Sequence, residues 1–588
     1  MREVRILVRR GRPGVWTALI VGLAFPAGLH AQAGHDMHGG HAMHGAAMEG
    51  GWVMPPMDPT MPMLPGLETA VPPVSAWLPG EGHDPSHFPE ALPSAPVDVP
   101  DGGLLELEVT TVRKRIAGRE YLMYGYNGQI PGPLIRAPRG GTIQVRVTNR
   151  IPMETTVHWH GIRLDQEHDG VPGMPHPPIA PGESFTYEIR VPDAGVFWYH
   201  PHVREDIQQD LGLHANLVVR DPDAPPPPVN REEVLVLDDL LLADNGRLIP
   251  WGQEAPTHAF MGRFGTVMLV NGATDHRIQV RRGEVVRFYL TNVANARTFN
   301  VRFGDAAVKL VGSDQGPMER QVMVPSVVIG PSERYVVDVH FPDEGEVEIT
   351  NTIQAIDYFR GLFFPEVTPL ATVAVGDGVA PSSGSGVITG VAQGGEDHGV
   401  AFRILASDPV VEADRVRFRE HLTRAPDHTL VATMRHRNLP NAIVLSMEID
   451  TLYVPPMEWN DAMPEMNWLS TGKQVEWILR EEGTGREGEE IDWDFRVGDL
   501  VKLRVFNDPR SFHPMNHPVH IHGQRFLVVA RDGVVQENLV WKDTAIVPTG
   551  STMDLLVEMS NPGEWMVHCH IAEHLHTGMH FHFTVAER

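Results

Sequence analysis

Along most of this chain, apolar and polar residues alternate over short stretches, and glycine, proline and aspartate interrupt them. Leu104–Val112 and Thr142–Thr148 show the pattern. A period of two turns one face of a strand toward a core and the other toward water. Long helical periodicity is nearly absent. The expected class is therefore all-β, built as sandwiches or barrels.

One ten-residue unit recurs. Gly140-Gly-Thr-Ile-Gln-Val-Arg-Val-Thr-Asn149 returns as Gly283-Glu-Val-Val-Arg-Phe-Tyr-Leu-Thr-Asn292 and as Gly498-Asp-Leu-Val-Lys-Leu-Arg-Val-Phe-Asn507. Each copy is a turn, an alternating strand and a closing asparagine. A second element follows each: Pro192-Asp-Ala-Gly195, Pro342-Asp-Glu-Gly345 and Asn561-Pro-Gly563 each lead into another strand. Such a repeat predicts homologous units. Three sandwiches are expected, over 104–222, 230–378 and 399–588. A proline-rich stretch at 222–229 and a Ser/Gly-rich stretch near 377–398 separate them. A chain of 588 residues is too long for one core, which agrees.

The copies differ in one respect. The outer two end in histidine-rich strands, whereas the middle one ends in Glu-Ile-Thr-Asn. The sandwich does not need those histidines, so they serve another purpose. Four of the His-x-His pairs in the outer copies stand out: His158-Trp-His160, His200-Pro-His202, His520-Ile-His522 and His568-Cys-His570. Residues i and i+2 of a strand share a face, so each pair presents two imidazoles together. Two pairs in the first unit and two in the last predict one shared cluster where those units meet. Cys569 alternates to the opposite face from its two histidine neighbours. It can therefore bind a second metal, with His517, His574 and Met579 near it in sequence. Two imidazoles, a thiolate and a weak thioether form the blue-copper donor set.

Composition narrows the picture. A net charge of -27 disfavours nucleic acid and anionic membrane surfaces as partners. Arg2, Arg5, Arg9, Arg10 and Arg12 precede an apolar run from Val15 to Leu29, and small residues follow at Ala31 and Ala33. This reads as an export signal over 1–33, with no stable membrane span left in the mature protein. The expected location is periplasmic or extracellular. Residues 34–103 are rich in Met, His, Pro and Gly and are expected to be a largely irregular lead-in. Cys569 is the only cysteine, so disulfides play no part.

Taken together, these residues closely resemble the multicopper oxidase family, which includes laccases, ascorbate oxidase and bacterial copper-efflux oxidases. The motifs stand as His-Trp-His-Gly (158–161), His-Pro-His (200–202), His-Pro-Val-His-Ile-His-Gly (517–523) and His-Cys-His-Ile-Ala-Glu-His-Leu-His-Thr-Gly-Met (568–579). The resemblance runs from about residue 104 to 588. It implies three cupredoxin-like Greek-key β-sandwiches and four copper ions. Type 1 copper is then held by His517, Cys569, His574 and Met579, and type 2 copper by His158 and His520. One type 3 copper takes His160, His200 and His570; the other takes His202, His522 and His568. Asp169 matches the family's acidic residue near the type 2 site, with a proton-supplying role. Many bacterial laccases carry glutamate directly after the second type 1 histidine; here that position is Leu575, which leaves Glu573 as the nearby acid for a second proton route.

The implied reaction is one-electron oxidation of a reducing substrate near His517 or His574, electron passage through Cys569, and four-electron reduction of dioxygen to water. The donor is a phenol or a metal ion such as Cu(I). The Met/His run at His35–Met63, together with Met457, Met463 and Met466, points toward the metal. Three alternatives remain at this stage: a copper storage or copper-resistance protein without turnover, a copper-free scaffold, and a nitrite reductase.

Overall fold

The computed structural model describes residues 71–80, 82–357, 362–377, 387–389, 398–437, 459–461 and 464–588, with isolated positions 439 and 444. The signal at 1–33, the Met/His run at 35–63, Met457 and Met463 lie outside the described residues. Among the described residues no helix is long and apolar enough to cross a membrane.

The recurring unit folds alike three times, as strands Thr142–Asn149, Val285–Asn292 and Leu500–Asn507. Each is entered through a left-handed glycine: Gly140 (φ 80°), Gly283 (φ 83°) and Gly498 (φ 102°). Side chains are disfavoured there, so glycine is what the turn requires. The closing asparagines are buried and tie the strand end to two loop carbonyls. Asn149 Nδ2 donates to Met153 and Ile179, Asn292 to Arg297 and Ile329, and Asn507 to Met515 and Val547, at 2.6 to 3.0 Å. The repeat thus preserves a hydrogen-bonding device as well as a pattern.

Three pairs of sheets result. The first pair holds four strands (119–126, 104–116, 142–149, 184–190) against five (96–98, 134–138, 215–220, 195–200, 158–160). The strand Leu104–Ile116 runs parallel to Thr142–Asn149, so the chain must cross between sheets before pairing, as a Greek key does. Leu107, Val109, Val145, Val147, Trp159 and Tyr187 fill the space between. The lead-in is partly tied down: Pro96–Asp98 pairs with Leu134, Ile135 and Arg136 of the first sandwich, and Ala76–Trp77 pairs with Trp251–Gly252 of the middle unit.

The middle sandwich departs from simple alternation. Every residue of Val285–Asn292 is buried. One face meets its own core, including Phe288 and Leu290. The other packs on the first sandwich, where Tyr289, Val234 and Val336 meet Leu134, Trp198 and Val218. Polar groups buried with them are paired, as burial demands. Arg287 grips Asp338 at 2.8 and 3.0 Å, and the Tyr289 hydroxyl donates to Glu232 at 2.9 Å.

In the third sandwich the strand Gly563–Cys569 lies between His517–Ile521 and His580–Ala586. The short helix Ala572–His576 follows it directly. Opposite, in the first sandwich, His158–His160 pairs with Gly195–His200, and the helical turn Glu205–Gln208 follows. The four histidine pairs thus come from two sandwiches and converge at their junction.

Candidate metal centres

His158 pairs with His200 across one sheet, and His520 with His568 across another. Strand register thus stacks the pairs two by two. All eight imidazoles are buried. His160 and His520 stack at 3.8 Å between ring centroids, which joins the two sandwiches. Donor atoms gather in three groups, each within 4.8 Å: His158, His160 and His520; His160, His200 and His570; His202, His522 and His568.

A neutral imidazole has one N–H and one lone pair, and its partners decide which nitrogen is which. His158 Nδ1 donates to the Asp169 carbonyl (2.7 Å), His200 Nδ1 to the Pro201 carbonyl (2.8 Å), and His520 Nδ1 to the Asp543 carbonyl (2.9 Å). His568 Nδ1 donates to the Cys569 carbonyl at 2.9 Å. His522 Nδ1 donates to Asp169 Oδ2 (2.8 Å), His202 Nδ1 to Glu205 Oε1 (2.9 Å), and His160 Nε2 to Asp543 Oδ1 (3.0 Å). The opposite nitrogens of His158, His160, His200, His202 and His520, and Nε2 of His570, are buried without a hydrogen-bond partner. Nε2 of His522 faces Nε2 of His568 at 3.0 Å. Buried lone pairs turned toward one another are costly unless a cation sits among them. Burial, with neighbouring imidazoles adding to it, holds His160, His200, His520, His522 and His568 well below ordinary histidine basicity. The rings are thus kept neutral, the form that ligates metal.

Two aspartates organise the cluster in a matched way. Asp169, of the first sandwich, offers its carbonyl to His158 and its carboxylate to His522 of the third. Asp543, of the third, offers its carbonyl to His520 and its carboxylate to His160 of the first. Each aspartate therefore spans the junction. Sequence reading found Asp169 and missed Asp543 and Glu205. Asp543 is clamped by Arg334 of the middle sandwich, at 2.7 and 2.5 Å. Glu205 also accepts from His576 Nε2 at 2.7 Å.

The second centre lies on the other face of the strand Gly563–Cys569. Cys569 Sγ is 3.6 Å from Nδ1 of both His517 and His574. Three ligands around one ion with metal–sulfur and metal–nitrogen bonds near 2.3 and 2.0 Å stand roughly 3.7 Å apart, so the spacing fits a shared metal. Burial pushes the Cys569 thiol up and brings His517 down to about 3. The thiol therefore needs a metal to become thiolate. Met579 is fully buried, and its carbonyl accepts from the Cys569 N–H at 3.1 Å. Trp477 lies against both imidazoles, 4.1 Å from His574 and 4.9 Å from His517 between centroids. Its Nε1 donates to the Ala259 carbonyl of the middle sandwich.

Multicopper oxidase family models match residues 108–224, 243–351 and 463–588, together more than half of the chain and one in each sandwich. The chain belongs to the multicopper oxidase family. It is a copper-dependent oxidoreductase that couples one-electron oxidation of a reducing substrate to reduction of dioxygen to water. Among its relatives is a multicopper oxidase of Mycobacterium tuberculosis, 27% identical over 77% of this chain and 81% of that protein. Dihydrogeodin oxidase of Aspergillus terreus is 25% identical over 82% and 83%. Copper resistance protein A of Escherichia coli is 23% identical over 81% and 92%. The fold matches the multicopper oxidase of Campylobacter jejuni, a metallo-oxidase, with a TM-score of 0.60 and 22% identity over 88% of this chain and 99% of that one.

Two further placements bear on this oxidase. The Glu573 carboxylate is held by Asn295 Nδ2 at 2.6 and 2.8 Å, not by an imidazole of the cluster. Burial, with Asp206 beside it, pushes it up to about 8. Leu575 packs with Val171 and Met566 in an apolar cluster, so no acid stands at that position. The carboxylate that does reach the cluster from this side is Glu205, carried by the first sandwich. The second concerns electron entry: His517 and His574 are both buried against Trp477.

Proposed function

We propose that this oxidase is exported and holds four coppers. His517, Cys569, His574 and Met579 hold type 1 copper; His158 and His520 hold type 2. His160, His200 and His570 hold one type 3 ion, and His202, His522 and His568 the other. The observation that carries this reading is the set of buried cluster lone pairs turned inward while seven of the eight cluster histidines place their other ring nitrogen on an acceptor. Bound copper supplies the one-electron chemistry and the reduction of dioxygen. The chain fixes the rings through Asp169, Asp543 and Glu205, and excludes water by burial. Peptide bonds join Cys569 to His568 and His570, which gives a covalent path between the two centres. Asp169 Oδ1, buried and without a hydrogen bond, is the atom assigned to move protons toward the reduced oxygen. The donor is a phenol or a metal ion such as Cu(I); the Met/His-rich lead-in supports the metal, since thioethers select Cu(I). A storage or resistance role without turnover leaves the eight-imidazole cluster without a use.

The division of ligands is tested by His158→Ala and His520→Ala. Both variants should lose type 2 copper and at least a hundredfold of dioxygen reduction while keeping the blue colour. A bleached variant that still consumes oxygen contradicts it.

A further inference from the structure

Buried side chains of the middle sandwich converge on one short segment of the third, Lys542-Asp543-Thr544. The strands Ala307–Ser313 and Arg334–His340 pair with Ser313 opposite Tyr335, so their ends lie together. From there Asp314 and Glu333 hold the Lys542 ammonium at 3.2 and 3.3 Å. Arg334 and Gln315 take the Asp543 carboxylate. Arg334 Nη1 donates to Oδ1 at 2.7 Å and Nη2 to Oδ2 at 2.5 Å, while its Nε donates to the Val196 carbonyl of the first sandwich at 2.8 Å. Gln315 Nε2 donates to Asp543 Oδ2 at 3.2 Å and to the Gly161 carbonyl at 2.8 Å. The two residues thus bond to all three sandwiches at one point.

A carboxylate turns readily about its last bond, because that torsion is broad. A planar guanidinium bonded to both oxygens fixes its plane, whereas an ammonium, a point charge, does not. With the plane fixed, Asp543 Oδ1 stands 3.0 Å from His160 Nε2 and accepts from the Thr544 hydroxyl at 3.0 Å. The His160 ring is therefore held from behind in one orientation. Gln315 does the same for the backbone beside it. Gly161 follows His160 at φ 84°, and an added Cβ there would stand 2.2 Å from Asp543 Oδ2. One amide thus keeps the motif backbone and the carboxylate against each other. His520 is tied to the same point, since its Nδ1 donates to the Asp543 carbonyl at 2.9 Å.

We infer that Arg334 and Gln315 are positioning residues for dioxygen reduction. Acting through Asp543 and the Gly161 backbone, they hold His160 and His520 in the orientation the reaction requires, so a sandwich that lends no ligand sets the geometry of the cluster. The inference rests on the reading of His160 and His520 as copper ligands. The hydrogen-bond partners of Arg334 and Gln315 include no ligand of the Cys569 centre, which should therefore be indifferent to them.

The test uses the copper-loaded full chain with Gln315→Met, which removes the amide's bonds at similar volume, and Arg334→Lys, which keeps the charge and loses the two-point grip. In both, the hyperfine splitting of type 2 copper in electron paramagnetic resonance should shift from that of the wild type. The kcat of dioxygen reduction should fall about 10- to 100-fold, with the donor KM and the blue band unchanged. A role in stability alone lowers the thermal midpoint and leaves the type 2 signal and kcat of the folded, loaded protein as in the wild type. That outcome in Gln315→Met overturns the inference, even where Arg334→Lys does not fold. A wild type without any type 2 signal overturns the ligand assignment, and the inference with it.

Discussion

Seven of the eight cluster histidines give one ring nitrogen to an acceptor, and a neighbour decides which nitrogen that is. His522 is set by Asp169 and His160 by Asp543, both across the junction between sandwiches. Cys569 carries the other centre alone among the thiols of the chain. Cys569→Ser should abolish the intense visible band and cut activity at least a thousandfold, with cluster copper retained; visible absorption and metal analysis together read this out. A blue Cys569→Ser protein removes the type 1 assignment. The histidine pairs and Cys569 were legible in the sequence because strand alternation is a local rule. Asp543 and Glu205 were not. Asp543 lies 383 residues from His160, and no local pattern marks it. Glu573 is near the motif in sequence, and its helix turns it toward Asn295 of the middle sandwich, a contact no local pattern marks.

Strands and turns hold these residues at the required spacing. The loop that carries Asp169 depends on Gly170, at φ 85°, where an added Cβ would stand 2.0 Å from the Val157 carbonyl. No side chain fits without moving the backbone on both sides, at Asp169 and at His158. Gly170→Ala should therefore lose cluster copper and dioxygen reduction while the Cys569 centre stays blue. Full copper content with normal turnover contradicts the loop's role. The repeat of turn, strand and asparagine made three sandwiches readable at this scale. The complete burial of Val285–Asn292 was not readable, because its second face is covered by another sandwich rather than by water.

For the molecule as a whole, the middle sandwich is a structural partner. Among the described residues it supplies none of the grouped candidate ligands. It does send Arg334 to Asp543, and Ala259 to Trp477 beside His517 and His574. Arg334 is fully buried, and so are Asp543 and Asp314 beside it. Arg334→Met leaves the buried Asp543 carboxylate without its paired cation, while Asp314 keeps Lys542, and should destabilise the fold by about 3–5 kcal/mol. A drop in the thermal midpoint of the loaded protein measures it, and an unchanged midpoint refutes the clamp. The central claim is that both centres act together in one reaction. Its most direct test is an oxygen electrode run on the copper-loaded chain with a one-electron donor, alongside metal analysis. The account predicts four coppers per chain, four donors oxidised for each dioxygen consumed, and no hydrogen peroxide. Two donors per dioxygen with peroxide released, or full copper loading without oxygen uptake, would contradict it.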